Sequence, residues 1–180
     1  FVREYITSQP RPVNNIKNYG AARHGEEESV ARYCRIVFAA CASARFHRPH
    51  PLEEPEAHES ATDYGLGLSP RAQAVIRSMR LVTDELELIT CEPRNDLLFG
   101  REDNEAYLLA DAGKRYALYF PKDAGDGTVM VDLTDKEGKW QLKWLPVSEG
   151  KWLEESLFLQ GGEKVKITKP DEGHWVALIQ

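Results

Sequence analysis

The sequence predicts an α+β protein in which a helical first half precedes an all-β second half. Before residue 94, two stretches show the spacing of apolar residues that is typical of amphipathic helices. After residue 95, short alternating segments are separated by Gly and Asp. The cations also change here from mainly Arg to mainly Lys, and Pro93 interrupts any regular element. We therefore predict two domains, residues 1–94 and residues 95–180.

Both helices have recognisable starts. Residues 26–28 are three consecutive Glu, whose charge favours a helix N-terminus, and the apolar face that follows includes Cys34 and Cys41. Other apolar residues lie off that face, so we expect this helix to be covered on two sides. The second helix begins at Ser69-Pro70, with Ser as N-cap and Pro at the first helical position. Its predicted buried stripe consists of Ala72, Val75, Ile76 and Met79.

Two less regular segments flank the first helix. Residues 11–16 predict a short buried strand, in which Pro12 is tolerated only at the start. Residues 49–67 are rich in Pro, Glu and His and lack periodicity, which predicts a long loop.

The sequence pattern of the second half predicts about seven short strands, and this number indicates a β-sandwich or barrel. Ala112-Gly113 gives a two-residue hairpin signal, and Trp140, Leu142 and Trp144 alternate with polar residues as a half-buried strand requires. The predicted strands are residues 105–111, 114–120, 127–133, 139–145, 156–159, 164–168 and 175–179.

Composition narrows the functional classes. Hydrophobic residues make up 42% and charged residues 29%, which is typical of a globular protein. The net charge of −6 disfavours nucleic acid as a partner, because phosphates require clustered Lys and Arg. No apolar stretch approaches the roughly 20 residues of a membrane span, so we expect no membrane partner. No signal peptide is visible after Phe1, and the compartment stays open.

The cysteines and the common motifs indicate no metal and no cofactor. Cys34, Cys41 and Cys91 are odd in number and lack CxxC spacing, which argues against a disulfide framework or a zinc site. We expect Cys34 and Cys41 to be small core residues. No GxSxG, HExxH, P-loop or dinucleotide fingerprint occurs. The acidic residues are too scattered to select a glycosidase pair by spacing, so the catalytic residues stay unknown.

A cluster of cations and imidazoles follows the first helix. Arg45, His47, Arg48 and His50 surround an aromatic residue, and Arg offers a donor fork suited to carboxylates or hydroxyl pairs. Ion pairing with nearby Glu residues is the alternative, which the segment alone favours. A metal is not expected, because only the two His are visible as ligands where about three are usual.

A second polar cluster contains Asn15, Lys17 and Tyr19. Polar residues directly after a buried strand are typical of an active-site rim in α/β proteins. An Asn- and Gly-rich turn explains the same residues, and on this segment alone the turn is favoured.

The four tryptophans raise the alternative of a sugar-binding face. Trp140 and Trp144 alternate with Leu142 against polar residues, which favours a place in the sandwich core. Trp152 lies in a Gly-Lys-Trp turn, so we expect it to be the more exposed one.

Short motifs along nearly the whole chain resemble the last third of a glycoside hydrolase-like family. Its members have a (β/α)8 barrel followed by a small β-sandwich that is often named a collagen-binding domain. The barrel motifs are PVNNIKNYG at 12–20, ASARFHRP at 42–49 and GLGL at 65–68. The sandwich motifs are NEAYLLA at 104–110, YALYFP at 116–121, VDL at 131–133 and GHWVALI at 173–179.

The resemblance implies a position in the barrel for each early segment. Residues 13–16 would form the seventh strand, residues 26–44 the following helix, residues 45–48 the end of the eighth strand, and residues 69–82 the final helix. Both polar clusters would then lie at the active-site rim. The residues implied to contact a carbohydrate substrate are Asn15, Lys17, Tyr19, Arg45, His47 and Arg48.

One position departs from the family pattern. Related retaining enzymes place a nucleophilic Glu at the end of the seventh strand, where this chain has Lys17, which cannot act as that carboxylate. A barrel needs about 200 residues or more, so we expect the isolated chain to be inactive. Its partner would be the missing barrel portion or a second copy. The alternatives are a non-catalytic sandwich that binds carbohydrate or protein, and a purely structural sandwich.

Overall fold

The first half of the chain forms two successive βα units. The computed structural model describes residues 4, 8, 12–18, 21–47 and 66–180, without the side chains of residues 16, 17 and 21–24. The elements are β1 (Asn14–Asn18), α1 (Ala21–Phe38), β2 (Ser43–Phe46) and α2 (Pro70–Glu85). Strands β1 and β2 pair in parallel, with Asn15 opposite Ala44. A parallel pair requires a crossover, which α1 supplies.

Helix α1 is shorter than the resemblance implies. It ends at Phe38, and Ala40 adopts a left-handed conformation with φ 58°. This reversal directs the chain into β2, which begins at Ser43. Residues 39–44, which the resemblance assigns to the helix, are therefore not helical. Cys34 is fully buried, as predicted for a core residue, whereas Cys41 lies beyond the helix end and is only half-buried.

Helix α2 follows its sequence signals closely. The Ser69 hydroxyl accepts the Ala72 N–H at 3.2 Å, and Pro70 occupies the first turn. The helix continues to Glu85, three residues past the expected end. Its buried residues are Ala72, Val75, Ser78, Met79 and Val82, so the predicted stripe is correct except that Ile76 is only partly buried.

The second half forms a β-sandwich of two sheets. A six-stranded sheet has the order β3-β5-β6-β11-β8-β9, and a three-stranded sheet has the order β10-β7-β4. The strands are β3 (Glu92–Pro93), β4 (Leu98–Phe99), β5 (Tyr107–Asp111), β6 (Arg115–Phe120), β7 (Thr128–Asp132), β8 (Lys139–Pro146), β9 (Ser156–Gln160), β10 (Lys164–Thr168) and β11 (Trp175–Ile179). All seven predicted strands are present. The two-residue strands β3 and β4 were too short to give an alternating pattern.

The central strands of the six-stranded sheet, β6 and β11, are buried on both faces. Leu118 and Ala177 point into the core shared with the three-stranded sheet, whereas Tyr119 and Leu178 point into a second core built with α1 and α2. Every residue of β11 is buried for this reason. The α+β class predicted from the sequence is therefore confirmed, with the helices forming a third layer on the outer face of the sandwich.

The tryptophan predictions are mostly correct. Trp144 is buried in the sandwich core together with Leu142, and Trp140 packs against the same core. Trp152 is partly buried against the helical layer and is less exposed than expected. The predicted boundary after residue 94 lies between β3, which pairs with β5 of the sandwich, and the short 3-10 helix Asn95–Leu97.

Candidate functional site

The parallel pairing of β1 and β2 brings the ends of both strands to one edge. Arg45 is an exposed residue of β2, and His47 follows the strand directly and is half-buried. Lys17 belongs to β1, although the structure describes only its backbone. Tyr19 and Arg48 lie outside the described residues. The edge therefore unites the described parts of both predicted clusters.

The two faces of the β1–β2 pair differ in character. Asn15 is paired with Ala44, so both belong to the face that packs on the helical layer, and Arg45 points the other way. On the side of Arg45, the Ser43 hydroxyl donates to Asn14 Oδ1 at 3.0 Å, and all three side chains are exposed. Asn15 thus does not share a face with Arg45. The predicted substrate-binding set left out Asn14, although the second polar cluster began there, and Ser43; strand alternation from Arg45 and the pairing register place both on its face.

The backbone of His47 is held from two sides. Its N–H donates to the Asn18 carbonyl at 3.2 Å, and its carbonyl accepts the Gly67 N–H at 2.7 Å. Asn18 is itself buried, and its amide donates to the Ser29 carbonyl of α1 at 2.7 Å. These contacts fix the position at which the His47 side chain leaves the strand end, although the sequence analysis did not single out Asn18.

The chemistry of this edge is that of binding. Its described side chains are those of Asn14, Asn15, Ser43, Arg45 and His47, which donate and accept hydrogen bonds at hydroxyl or carboxylate groups. None of these five is a carboxylic acid, whereas glycoside hydrolysis ordinarily needs two.

A separate group of polar residues joins the helical layer to the sandwich. His174 precedes β11, and its Nε2 lies 2.9 Å from Glu27 Oε2 of α1. Its Nδ1 lies 2.8 Å from the Tyr119 hydroxyl and 3.2 Å from the Lys122 N–H. Arg71 of α2 pairs with Glu27 at 2.5 Å. We call Glu27, Arg71, Tyr119 and His174 the junction cluster.

The contacts of His174 assign its tautomer. The Lys122 backbone N–H can only donate, so Nδ1 must carry the lone pair, and the ring proton lies on Nε2 and points to Glu27. Burial lowers the pKa of His174 below its ordinary value of 6.5, against the opposing influence of Glu27. Burial alone would raise the pKa of Glu27, but Arg71 and then His174 lower it overall. A neutral imidazole therefore faces an ionised carboxylate.

The buried end of the junction cluster is chemically inert. Cys34 contacts Tyr119, and burial raises the pKa of the Cys34 thiol to about 12. Burial also raises the pKa of Tyr119 well above its ordinary value. A thiolate is the reactive form of cysteine, so Cys34 does not serve as a nucleophile near neutral pH. The junction cluster links the helical layer to the sandwich.

An open groove of about 600 Å³ lies beside the junction cluster. Its lining carries both signs of charge, from the cations Arg71 and Lys122 and the acids Glu27 and Glu172. Among the described residues, no group of three or more His, Cys, Asp or Glu side chains is arranged to hold a metal ion. Neither described helix has the length and apolar character needed to cross a membrane.

Two solved structures that share this fold are described as glycoside hydrolases. One is a glycoside hydrolase family 5 protein from Bacteroides vulgatus ATCC 8482, with a TM-score of 0.67 and 12% identity over 98% of this chain. Another, described as a glycoside hydrolase, has a TM-score of 0.69 and 14% identity over 99% of this chain. This chain covers 44% of each of those chains, less than half their length. No protein-family model matches the sequence. No curated protein matches it either. At these identities the likeness is one of fold: the chain has the architecture of a part of these glycoside hydrolase structures.

Proposed function

We propose that this chain is the C-terminal portion of a glycoside hydrolase-like protein that acts on carbohydrate. Residues 1–94 would contribute the last two βα units of a (β/α)8 barrel, and residues 95–180 the terminal β-sandwich. The observation that carries the proposal is the β1–β2 pair, whose parallel strands are covered by helices on one face and polar on the other. In a barrel, the ends of such strands form the active-site rim.

Sugar recognition would fall to the polar edge of this pair. Arg45 offers several fixed N–H donors to vicinal hydroxyl or carboxylate oxygens, and His47 offers a ring nitrogen from a backbone fixed on both sides. Lys17, Tyr19 and Arg48 complete the proposed substrate-binding set, whereas Asn15 lies on the helix-facing side and is not part of it. Asn14 and Ser43 are hydrogen-bonded to each other and lie on the same face as Arg45. They would enlarge the proposed substrate-binding set.

The carboxylates would come from elsewhere in the protein. Eight strands close a barrel, and two are described here, so the acid/base residue would lie on earlier strands. We therefore expect no hydrolysis by the isolated 180-residue chain. The partner that completes it would be a preceding barrel portion.

The gene upstream of Phe1 provides the first test. We expect an open reading frame that continues for a few hundred codons, because a barrel needs about 200 residues or more. In that longer protein, Arg45→Ala should lower kcat/KM on aryl-glycosides by about tenfold or more, which corresponds to ~1.4 kcal/mol. Arg80→Ala is the matched control, since Arg80 is an exposed Arg on α2.

Two results would contradict the proposal. One is an immediate stop codon upstream, and the other is turnover of aryl-glycosides by the purified 180-residue chain at a rate that Arg45→Ala leaves unchanged. The second would show that hydrolysis occurs without the proposed rim.

A protein-binding role for the sandwich is the second candidate. It is favoured by exposed apolar residues on β9, where Leu157 is 57% and Phe158 59% exposed. A carbohydrate-stacking role has less support, because Trp140, Trp144 and Trp175 all pack in or against the sandwich core.

A further inference from the structure

The outer strands of the sandwich differ in how they are protected. Unpaired edges invite association with other strands, and proteins usually guard them by short length, Pro or charged residues. Strand β3 has two residues and ends in Pro93, and β4 also has two residues. Strand β10 carries Lys164 and Lys166. By contrast, β9 extends over five residues with no charge among them and has no partner on its outer side among the described strands.

Strand β9 also exposes apolar side chains on both faces. Leu157 is paired with Leu142 and shares its face, which is the face toward the three-stranded sheet. Phe158 is paired with Gln141 on the opposite face, and the Lys139 ammonium lies 3.9 Å from its ring centroid. More than half of each apolar side chain remains in water. This edge is thus both unguarded and hydrophobic.

The backbone of β9 has a defined set of outward-facing groups. The Gly161 N–H donates to the Gly138 carbonyl at 2.8 Å, next to the first pair of the β8–β9 ladder. Because hydrogen-bonded and non-bonded pairs alternate along an antiparallel ladder, Leu157 and Leu159 direct their backbone groups toward β8. Ser156, Phe158 and Gln160 consequently present theirs at the open edge.

We propose that β9 pairs in antiparallel register with β9 of a second copy of this chain, with Phe158 opposite the same residue of that copy. The outward groups are symmetric about Phe158, so a two-fold axis there satisfies all three residues at once. Ser156 then lies opposite Gln160, and Leu157 lies opposite Leu159, so no like charges meet within the strand. The six-stranded sheets of both copies become one continuous sheet.

The chemistry at the strand ends agrees with a second copy as the occupant. Glu154 and Glu155 precede β9, whereas Lys139 lies beside its last residue, Gln160. Antiparallel pairing keeps the glutamates of the two copies at opposite ends of the paired strands and brings each pair toward the end where Lys139 lies one strand inward, whereas parallel pairing would bring all four glutamates together. The surface buried by five residues per chain is below that of a standard interface, so the dimer should form at micromolar or higher concentrations.

Sedimentation velocity of the full chain tests the proposal. Between about 1 μM and 200 μM, a range that brackets a micromolar dissociation constant, the weight-average mass should rise toward twice that of the monomer. Phe158→Lys should leave only monomer, because two ammonium groups would then meet at the axis. Phe99→Lys is the control: Phe99 is an exposed edge aromatic on β4, 39% exposed and also covered by a lysine, Lys164, at 3.5 Å. It should associate as the unmodified chain does.

Charge complementation tests the register. Phe158→Glu alone should be monomeric, whereas an equimolar mixture of Phe158→Glu and Phe158→Lys should recover the dimer, because opposite charges then face each other. A chain that stays monomeric throughout the range overturns the proposal. So does a dimer that survives Phe158→Lys, or a mixture that remains monomeric while circular dichroism shows both variants folded.

Discussion

Strands β6 and β11 at the centre of the sandwich contrast with the β1–β2 pair. Both central strands are almost wholly buried, because the helices cover one face of their sheet and the three-stranded sheet covers the other. The β1–β2 pair is covered on one face and exposes Asn14, Ser43 and Arg45 on the other. The central sheet therefore carries the stability of the described structure, and the β1–β2 pair presents exposed polar side chains on one face.

The contrast extends to buried polar groups. In the described part of the chain, Asn18, Ser78 and His174 are buried polar residues whose side chains hydrogen-bond across elements. Asn18 links β1 to α1, Ser78 of α2 donates to the Val147 carbonyl at 2.9 Å, and His174 contacts Glu27. Since buried polar groups are costly unless paired, these contacts define how the layers fit together.

The largest expected effects come from the two faces of the central sheet. Leu118→Ala empties a site between the two sheets, and Leu178→Ala empties a site under the helices. Both side chains are fully buried, so each change should lower the free energy of unfolding by about 2–5 kcal/mol in urea titrations. Arg45→Ala should stay within about 0.5 kcal/mol of the unmodified chain. A loss of 2 kcal/mol or more for Arg45→Ala would break the contrast between the regions.

Much of this central sheet could be predicted from the sequence, because strands covered on two faces read as continuous apolar runs such as YALYF and WVALI. The α2 cap was predictable for a similarly local reason, Ser69 followed by Pro70. The early end of α1 was not, since a left-handed Ala40 has no local signal. The junction cluster was also out of reach: Glu27 and His174 are 147 residues apart, and only the tertiary fold brings them together.

The junction cluster should give the next largest effect. His174→Ala removes a ring that joins Glu27, Tyr119 and the Lys122 N–H, and it deprives the buried Tyr119 hydroxyl of the imidazole contact. We expect a loss of about 2–3 kcal/mol in the free energy of unfolding. A double-mutant cycle with Glu27→Gln should show coupling of about 0.5 kcal/mol or more. Strict additivity would mean that the His174–Glu27 contact does not join the layers.

A smaller loss is expected at the anchor of β1. Asn18→Ala removes the amide that donates to Ser29, and should cost about 1–2 kcal/mol. Because Asn18 also accepts the His47 N–H through its backbone, the His47 ring signals should shift in NMR spectra. Thr168→Ala, an exposed strand-end change in the three-stranded sheet, is the matched control and should move neither quantity. If the His47 signals were unchanged in Asn18→Ala, the Asn18 side chain would have no influence on the position of His47 at the strand end.

The smallest effect is a dependence of stability on pH that originates at His174 of the junction cluster. The pKa of His174 is lower in the folded chain than its ordinary value of 6.5, so the unfolded chain binds the proton more readily. The His174 contribution should be constant above about pH 7, fall as the pH drops through 6.5, and level off below the folded pKa.

Several charged groups near His174 bear on the size of this fall. Asp123 and Glu27 favour its protonation, whereas Arg71 and burial oppose it. Further acidification through 4.5 should remove the stabilisation that the lowered pKa of Glu27 provides. Urea titrations at pH 7.5, 6.5 and 5.5 should therefore show a steeper fall for the unmodified chain than for His174→Gln. Equal slopes in the unmodified chain and His174→Gln would assign the titration to groups other than His174 of the junction cluster.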